Sequence, residues 1–527
     1  MGLALAVELG VRGVECMLVE CSDGTVTVPK ATQLSTRTME FCRRWGISEE
    51  VKRAGWPAEH PGDFVYLTSM VGYELYRQKF APYARERELD FTPERPRQCP
   101  QIFFDPILRN RAASLPTVTL RHRTWLESFV EEPDGVFTEL TDLESGQRRT
   151  VAAMYLVGCD GYDGTVRKAL GTEYEGSGIL SYSVSIYFRS RELASLHDKG
   201  WGRFYRPVDA TGHWADLIAI DGRELWRLTL LDLDPDFDVE AFDVVESLAR
   251  TAGTTFPHEV LSVLPWKRRE LIAKSYGGGR VFLAGDAAHQ CSPTGGLGMN
   301  TGIGDAVDLG WKLAAMIEGW GGSRLLDSYE VERRPVAVST VTASSDVYRQ
   351  TTALPGGESI AEDSPEGERT RRRFVEEFPE SLHAFGGHAV ESVRLGAAYE
   401  GSPIIWPDRG DARRDEAAAS ATAACPGARA PHAWLTPGCS TLDLFGTGFG
   451  LLRLGFEPIP VIDLTRAAAA RNVPRRVVDI DDPAIAALYG SRLVLVRPDG
   501  HVAWRDDMPP ADAGSLLDRV RGAGDPP

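Results

Sequence analysis

The chain has 527 residues, 43% hydrophobic and 25% charged, with 58 Lys+Arg against 75 Asp+Glu for a formal charge of −17. At roughly 100–200 residues per domain this is three or four folding units of ordinary globular composition, which excludes a mainly disordered, collagen-like or disulfide-stapled chain. The acidic balance argues against nucleic acid or an anionic membrane surface as partner, no run of eighteen apolar residues offers a membrane span, and no two of the eight cysteines are spaced CxxC.

Gly2 to Leu9 carry a helical apolar face through Leu3, Leu5, Ala6 and Leu9, closed by Gly10 and Gly13. Glu8 interrupts the apolar run and no basic region precedes it, so it is not a signal peptide, and reduced thiols in a cytoplasmic protein are expected. Val14 to Val19 then reads as a buried strand ending at Glu20. Helix, turn, strand and acid form the second half of a βαβ dinucleotide unit, with Gly2 in the place of the last glycine of GxGxxG. A central strand and the first two glycines, about ten to fifteen residues, are therefore expected upstream of Met1.

Thr38 to Trp45, closed by Gly46, is helical, as is 98–115, and 117–142 holds strands around Pro133-Asp134-Gly135. Met154 to Gly158 is a short buried strand running into Cys159-Asp160-Gly161. Residues 181–232 change character. Strand-like runs broken at 209–212 and at Asp221-Gly222 predict an antiparallel sheet inserted into an α/β chain. Val281 to Ala284 is again a buried strand. From about Met299 a long helix carries Ile303, Ala306, Leu309 and Leu313 near 3.6 spacing. Residues 352–375 and 411–431 read as linkers. The tail from about 432 alternates strands and helices and resembles a thioredoxin-like domain without its cysteines.

The strongest chemical signal is Gly285-Asp286-Ala287-Ala288-His289, then Pro293, then Gly295-Gly296-Leu297-Gly298-Met299-Asn300. A carboxylate at a strand end can accept from a polyol hydroxyl. Glycines let backbone N–H groups approach a flat ring, and a helix N-terminus suits an anion or an electron-rich carbonyl. A second segment runs Val157-Gly158-Cys159-Asp160-Gly161 to Thr165-Val166-Arg167.

These two segments resemble the GD and DG motifs of the class A flavoprotein monooxygenases, the para-hydroxybenzoate hydroxylase and phenol hydroxylase family. Within it the chain looks most like the phenol-type and polyketide aromatic hydroxylases. Gly164 stands where that family has a small hydroxyl residue. The resemblance implies an α/β fold: a Rossmann-like FAD-binding domain lacking its first strand, split over 1–175 and 265–400. An antiparallel-sheet substrate domain at 176–264, a linker at 401–431 and the thioredoxin-like domain at 432–527 complete it. It implies non-covalent FAD, NADPH or NADH and O2 as co-substrates, and a flavin C4a-hydroperoxide that hydroxylates a phenol or aromatic polyketide. A homodimer is compatible with it.

By the same resemblance the cofactor-binding residues are Gly2, Glu20, Arg37 at the pyrophosphate, Gln101, Leu126 at the adenine, Asp160 and Gly161. To these it adds Gly285, Asp286, Pro293, Gly296, Leu297, Gly298, Met299 and Asn300. Tyr205 and Trp214 are the substrate-binding candidates, with Arg206 and His213 beside them, and strand alternation turns only about half of these inward. No metal site is expected and no catalytic base is named. Thr32 stands where phenol hydroxylase carries an acid, and His289 reads as structural. The rival readings are the same fold performing Baeyer–Villiger or drug-inactivating oxygenation, or a truncated chain that holds flavin weakly and lacks activity.

Overall fold

The computed structural model describes residues 1–85, 89–238, 242–379, 382, 395, 398–408 and 424–524, so most of the expected 411–431 linker lies outside the described residues. The chain opens with α1 (Gly2–Val11) and β1 (Cys16–Val19), as the periodicity predicts. β2 (Gln33–Leu34) leads into α2 (Thr36–Arg44), which starts where the Ser35 hydroxyl accepts from Thr38 N. Then come α3 (Ser48–Arg53), β3 (Phe64–Leu67), β4 (Glu74–Gln78), β5 (Arg97–Gln98) and α4 (Gln101–Ala113). β6 (Val118–Arg121) precedes a meander of β7 (Thr124–Glu132), β8 (Gly135–Asp142) and β9 (Arg148–Ala153). β10 (Leu156–Gly158) runs into α5 (Thr165–Ala169).

The inserted sheet contains β11 (Tyr174–Arg189), β12 (Phe204–Asp209), β13 (Gly212–His213), β14 (Ala215–Ala219), β15 (Leu225–Leu233) and β16 (Glu259–Ala273). One of its faces is covered by α6 (Val244–Ala252), through Leu248 and Ala252 against Val184, Ile186, Leu217 and Leu228. β17 (Gly277–Gly278), β18 (Val281–Leu283), β19 (His289–Gln290), α7 (Gly298–Ile317), α8 (Asp327–Thr352) and α9 (Pro365–Glu376) follow.

The parallel pairs are β1 with β6 and β10 with β18; no backbone pairing joins β1 to β10 among the described residues. The N-terminal end of α1 lies between them, where a Cβ on Gly2 would meet Leu18 and Cys159. Close packing there rests on small residues: Gly310 of α7 leaves room for the Glu8 side chain. Glu8 is fully buried and held by Arg12, Arg44 and the indole N–H of Trp45. The long sheet runs β19-β16-β11-β15-β14-β12-β3-β4. It therefore draws in residues 64–78, which the sequence places with the cofactor-binding part, because β3 pairs in parallel with β12 at its edge.

The tail holds β20 (Trp434–Thr436), β21 (Cys439–Ser440), β22 (Phe449–Leu454), α10 (Ile462–Ala470), β23 (Arg475–Ile480) and α11 (Pro483–Tyr489). β24 (Leu493–Val496), β25 (Val502–Asp506) and α12 (Ala513–Val520) end it. Its main sheet runs β23-β22-β24-β25, with β22 and β23 parallel and the rest antiparallel. Trp311 and Ala315 of α7 join its core beside Phe449, Leu451 and Trp504. Among the described residues no helix is long and apolar enough to cross a membrane.

Candidate functional site

β18 ends in a short turn where Gly285 adopts φ 61° and its N–H donates to Asp305 Oδ2 at 3.1 Å. Asp305 also takes His289 Nε2 at 2.7 Å and Arg333 Nε at 2.9 Å. Burial pushes the Asp305 carboxyl up, but His289 and Arg333 outweigh it and hold it below its ordinary range. His289 thus braces the turn, as expected. Asp286 is the exception in this stretch: it is exposed while Gly285, Ala287, Ala288 and His289 are buried. Its carboxylate accepts no hydrogen bond from the described residues.

Gly295 and Gly296 both have positive φ, and Gly296 N closes a turn onto the carbonyl of Pro293, which is exposed. Leu297 is buried, and α7 begins at Gly298 and Met299 with the unpaired N–H groups of any first helical turn. The Asn300 side chain fastens the turn to the β2–α2 junction. Its Oδ1 accepts from Ser35 N (2.8 Å) and Thr38 Oγ1 (2.7 Å), and its Nδ2 donates to the carbonyls of Gln33 (3.0 Å) and Gly296 (2.6 Å). Pro293, Gly296, Leu297, Gly298, Met299 and Asn300 are thereby brought together with Gly285 and Asp286.

A second group gathers at the end of β1. Glu20 Oε1 accepts from Ser22 N at 2.8 Å, and Oε2 has no hydrogen bond among the described residues. Thr124 N donates to the Glu20 carbonyl, which places Leu126 close by, next to an irregularity in the β7–β8 pairing. Gln101 begins α4 and donates to Asp105 at 3.1 Å. Burial pushes the Asp105 carboxyl up, while Gln101, the chain's amino group and Arg109 pull it down and Glu20 repels it. Gln101, Asp105 and Arg109 share one face of α4 by helical spacing, and α4 packs against α1.

The expectations for Arg37, Tyr205 and Trp214 need correction, and Asp160 carries a structural role. Arg37 does not reach toward these loops: its guanidinium donates to Glu40 Oε2 (3.0 Å) and the Asp499 carbonyl (2.7 Å) and lies 4.5 Å from the Phe41 ring centre. Helical spacing puts Arg37, Glu40, Phe41 and Arg44 on one face of α2, and that face meets the tail. Asp160 is a helix cap: Oδ2 accepts from Val166 N at 3.0 Å, and a Cβ on Gly164 would run into its carboxylate. Gly164 is thus the residue that lets Asp160 do the capping, while Gly161 supplies the positive φ of the turn. Tyr205 is fully buried on the α6 side of the sheet, its hydroxyl tied to Gly200 O and Gly202 N. Trp214 packs on the same side under Arg250. Alternation turns their neighbours Arg206 and His213 to the opposite face.

That opposite face meets the loops just described. Ile102, beside Gln101, packs with Tyr187, Ile218 and Phe204. Leu297 packs with Tyr66, and Arg268 donates to Ser292 Oγ (2.6 Å) and Thr294 Oγ1 (3.2 Å). Arg227 donates to the carbonyls of Pro29 and Lys30, and burial lowers it to about 10 against the pull of Asp216. Thr32 offers its carbonyl to Cys99 N. Sequence reasoning missed Gln98. It sits opposite Gln33, whose side chain abuts Gly296, so both share one face of the β2–β5 ribbon. Gln98 is 2% exposed, and neither its Oε1 nor its Nε2 has a hydrogen-bond partner. Among the described residues no group of three or more His, Cys, Asp and Glu side chains could hold a metal ion.

A family model described as an FAD binding domain matches residues 1–344, and one described as the C-terminal part of aromatic-ring hydroxylases matches 423–526. The 4-methyl-5-nitrocatechol 5-monooxygenase of a Burkholderia species is 33% identical over 99% of this chain and 95% of its own. The solved rebeccamycin biosynthetic enzyme RebC with reduced flavin superposes with a TM-score of 0.91 at 41% identity, over 99% of this chain and 97% of that one. Aklavinone-11 hydroxylase, solved as a ternary complex with FAD and aklavinone, gives 0.79 at 29% identity, over 99% and 97%.

Proposed function

The chain belongs to the FAD-dependent aromatic-ring hydroxylases, and on that premise we propose that it hydroxylates a phenol or aromatic polyketide, with NAD(P)H as reductant and O2 as oxygen donor. The observation that carries the residue assignment is Asp286, an exposed and unpartnered carboxylate in a buried turn at the end of a parallel strand. The donor set suits FAD. Unmet polar groups are rare in folded proteins, yet the buried amide of Gln98, across the ribbon from Gln33, lacks partners, and so does Glu20 Oε2.

In this reading Asp286 accepts from the ribityl chain and Glu20 from the ribose. The α4 face headed by Gln101 would border the phosphates, and the backbone of Leu297 to Asn300 would hold the flavin ring. Gly2, Gly161, Gly285, Gly296 and Gly298 give the backbone its close approach, Met299 and Pro293 flank it, and Leu126 borders the adenine. Asp160 contributes by building the turn after β10. Bound FAD supplies the reductive activation of O2 and the transfer of one oxygen atom to the ring. The chain's own residues orient the substrate and exclude water, through Tyr66, Phe204, Ile218, Ile102 and Leu297 over the loop. In this reading 1–175 with 265–400, apart from the strands of 64–78, form the cofactor-binding part, 176–264 with 64–78 the roof and 432–527 a structural, thioredoxin-like tail. Eight free thiols fit a reducing cytoplasm.

The test is a panel of phenolic polyketides turned over by the FAD-loaded protein with NADPH under 18O2. One labelled oxygen atom in a product ring hydroxyl is the expected result. Absence of a flavin spectrum after FAD loading, or label only in hydrogen peroxide across the panel, contradicts the reading.

A further inference from the structure

Five adjacent strands each place one polar residue in a single row across the loop-facing side of the sheet. Ser185 on β11 lies opposite Thr229 on β15, Thr229 opposite Asp216 on β14, and Arg206 on β12 opposite Tyr66 on β3. Arg206 closes the row by donating from Nε to Asp216 Oδ1 at 2.9 Å and from Nη1 to the Tyr66 hydroxyl at 2.6 Å. Ser185 Oγ and Thr229 Oγ1 lie 3.0 Å apart, and Trp266 Nε1 donates to Ser185 Oγ at 3.0 Å. One acceptor is left over. Asp216 Oδ2 takes no hydrogen bond among the described residues, although Oδ1 has Arg206 and lies 3.5 Å from His213 Nε2. The Asp216 side chain is 21% exposed, against 4% for Arg206 and 0% for His213.

The surroundings say what Oδ2 faces. Arg268 ties the sheet to Ser292 and Thr294, Leu297 packs with Tyr66, and Ile102 packs with Ile218, the residue two along from Asp216 on the same strand face. These neighbours belong to the loops read above as cofactor-binding. Burial pushes the Asp216 carboxyl up, but Arg206, His213 and Arg268 outweigh it and hold the group below the usual carboxylate range. It is therefore a permanent acceptor and too weak a base to strip a phenol of pKa about 10.

We propose that Asp216 is a substrate-binding residue whose Oδ2 accepts a hydrogen bond from a hydroxyl or N–H on the rim of the aromatic substrate, fixing the ring beneath the Ser292–Asn300 loop. The site selects donors: a free phenol is accepted and its O-methyl ether is not. This rests on the reading that the loop-facing side of the sheet roofs the hydroxylation site.

The variant of choice is Asp216→Asn. Arg206 Nε needs an acceptor, so the amide oxygen stays with it and the NH2 group turns to the cleft, converting acceptor into donor. Asp216→Ser, whose hydroxyl can also accept from Arg206, is the second variant if the first loses its flavin. FAD-loaded protein is titrated with 1-naphthol and with 1-methoxynaphthalene, following the flavin absorbance change. The wild type is expected to prefer the naphthol about tenfold, the scale of one hydrogen bond to a charged group. In the variant that preference falls below about twofold, with flavin content and methoxynaphthalene affinity unchanged, a pattern that a merely structural role does not produce. A variant that keeps the preference, or a flavin-loaded wild type that shows none, overturns the proposal. Failure of the parent reading shows earlier, as a protein that takes up no flavin.

Discussion

Two neighbouring regions treat their carboxylates in opposite ways. In the part read as holding cofactor and substrate, Asp286 before α7 is exposed and unpartnered, Asp216 Oδ2 on β14 and Glu20 Oε2 after β1 are unmet, and Gln98 on β5 is buried with an idle amide. Farther along α7, at the docking face of the tail, Asp308, Lys312, Glu332, Arg497 and Asp499 are buried and bonded to one another. Ser402 adds a hydroxyl to Glu332, and Arg429 with Arg37 encloses Glu40. The contrast separates two uses of polarity. Groups that the fold leaves unmet beside groups it satisfies are places for a ligand. A fully paired buried network holds two parts of the chain in one register, gains little over apolar packing and is expensive to break.

The sharpest break is Glu332→Ala. It takes the shared acceptor from Lys312, Arg497 and Ser402, leaving Lys312 with Asp308 and Arg497 with Asp308 and Asp499, and a loss of about 3–5 kcal/mol in guanidinium unfolding is expected. A loss under about 1 kcal/mol would show that water reaches the network and that the contrast is false. Asn300→Ala removes three hydrogen bonds between the loop and the β2–α2 junction and one within the loop, and should lower stability by about 1–3 kcal/mol together with flavin retention. Loss of one without the other would show that the loop is not braced from that side.

Acid should undo the tail before the loop. Burial lowers His501 from 6.5 to about 4, against the pull of Asp499, with Arg37 and Arg497 also opposing its charge. The folded value lies below the unfolded one, so the unfolded chain takes the proton first. Stability is complete above about pH 6.5 and falls as the pH drops toward 4, by about 3 kcal/mol. His501→Gln should flatten that part of the profile, and an unchanged slope would place the acid sensitivity elsewhere. A smaller effect is expected at Gly164→Ala, where the new methyl displaces the Asp160 carboxylate from the α5 cap, for about 1 kcal/mol in thermal unfolding. Smallest of all, Cys425→Ser with Cys439→Ser should leave NADPH-dependent turnover intact, because both thiols are free. A large loss with the fold preserved would make the tail more than structural.

Local patterns explain what the sequence made legible. The turn from β18 into α7 is written in consecutive residues, glycines, an acid at a strand end and a helix of regular period, so its chemistry can be read without knowing the rest of the chain. Glu20 and Gln101 are marked by the ends of their own elements. Arg37 misleads because the partner that claims it, the Asp499 carbonyl, is far away in sequence. Tyr205 and Trp214 mislead through parity: alternation says that every second residue faces the core, but which set does so is decided by α6 on one side and the loops on the other. The row from Ser185 to Tyr66 needs the register of five strands, including β3, whose membership of that sheet no local signal announces.

The most direct test of the central claim is the dissociation constant of FAD for the wild type and for Asp286→Ala, measured by flavin fluorescence on the apoprotein with its unfolding midpoint recorded in parallel. The exposed carboxylate carries no load in the fold, so the midpoint should stay where it is. Affinity should fall about ten- to a hundredfold, the loss expected when a charged acceptor is taken from a polyol partner. Unchanged affinity at an unchanged midpoint would contradict the assignment of this turn as the place where the cofactor is held.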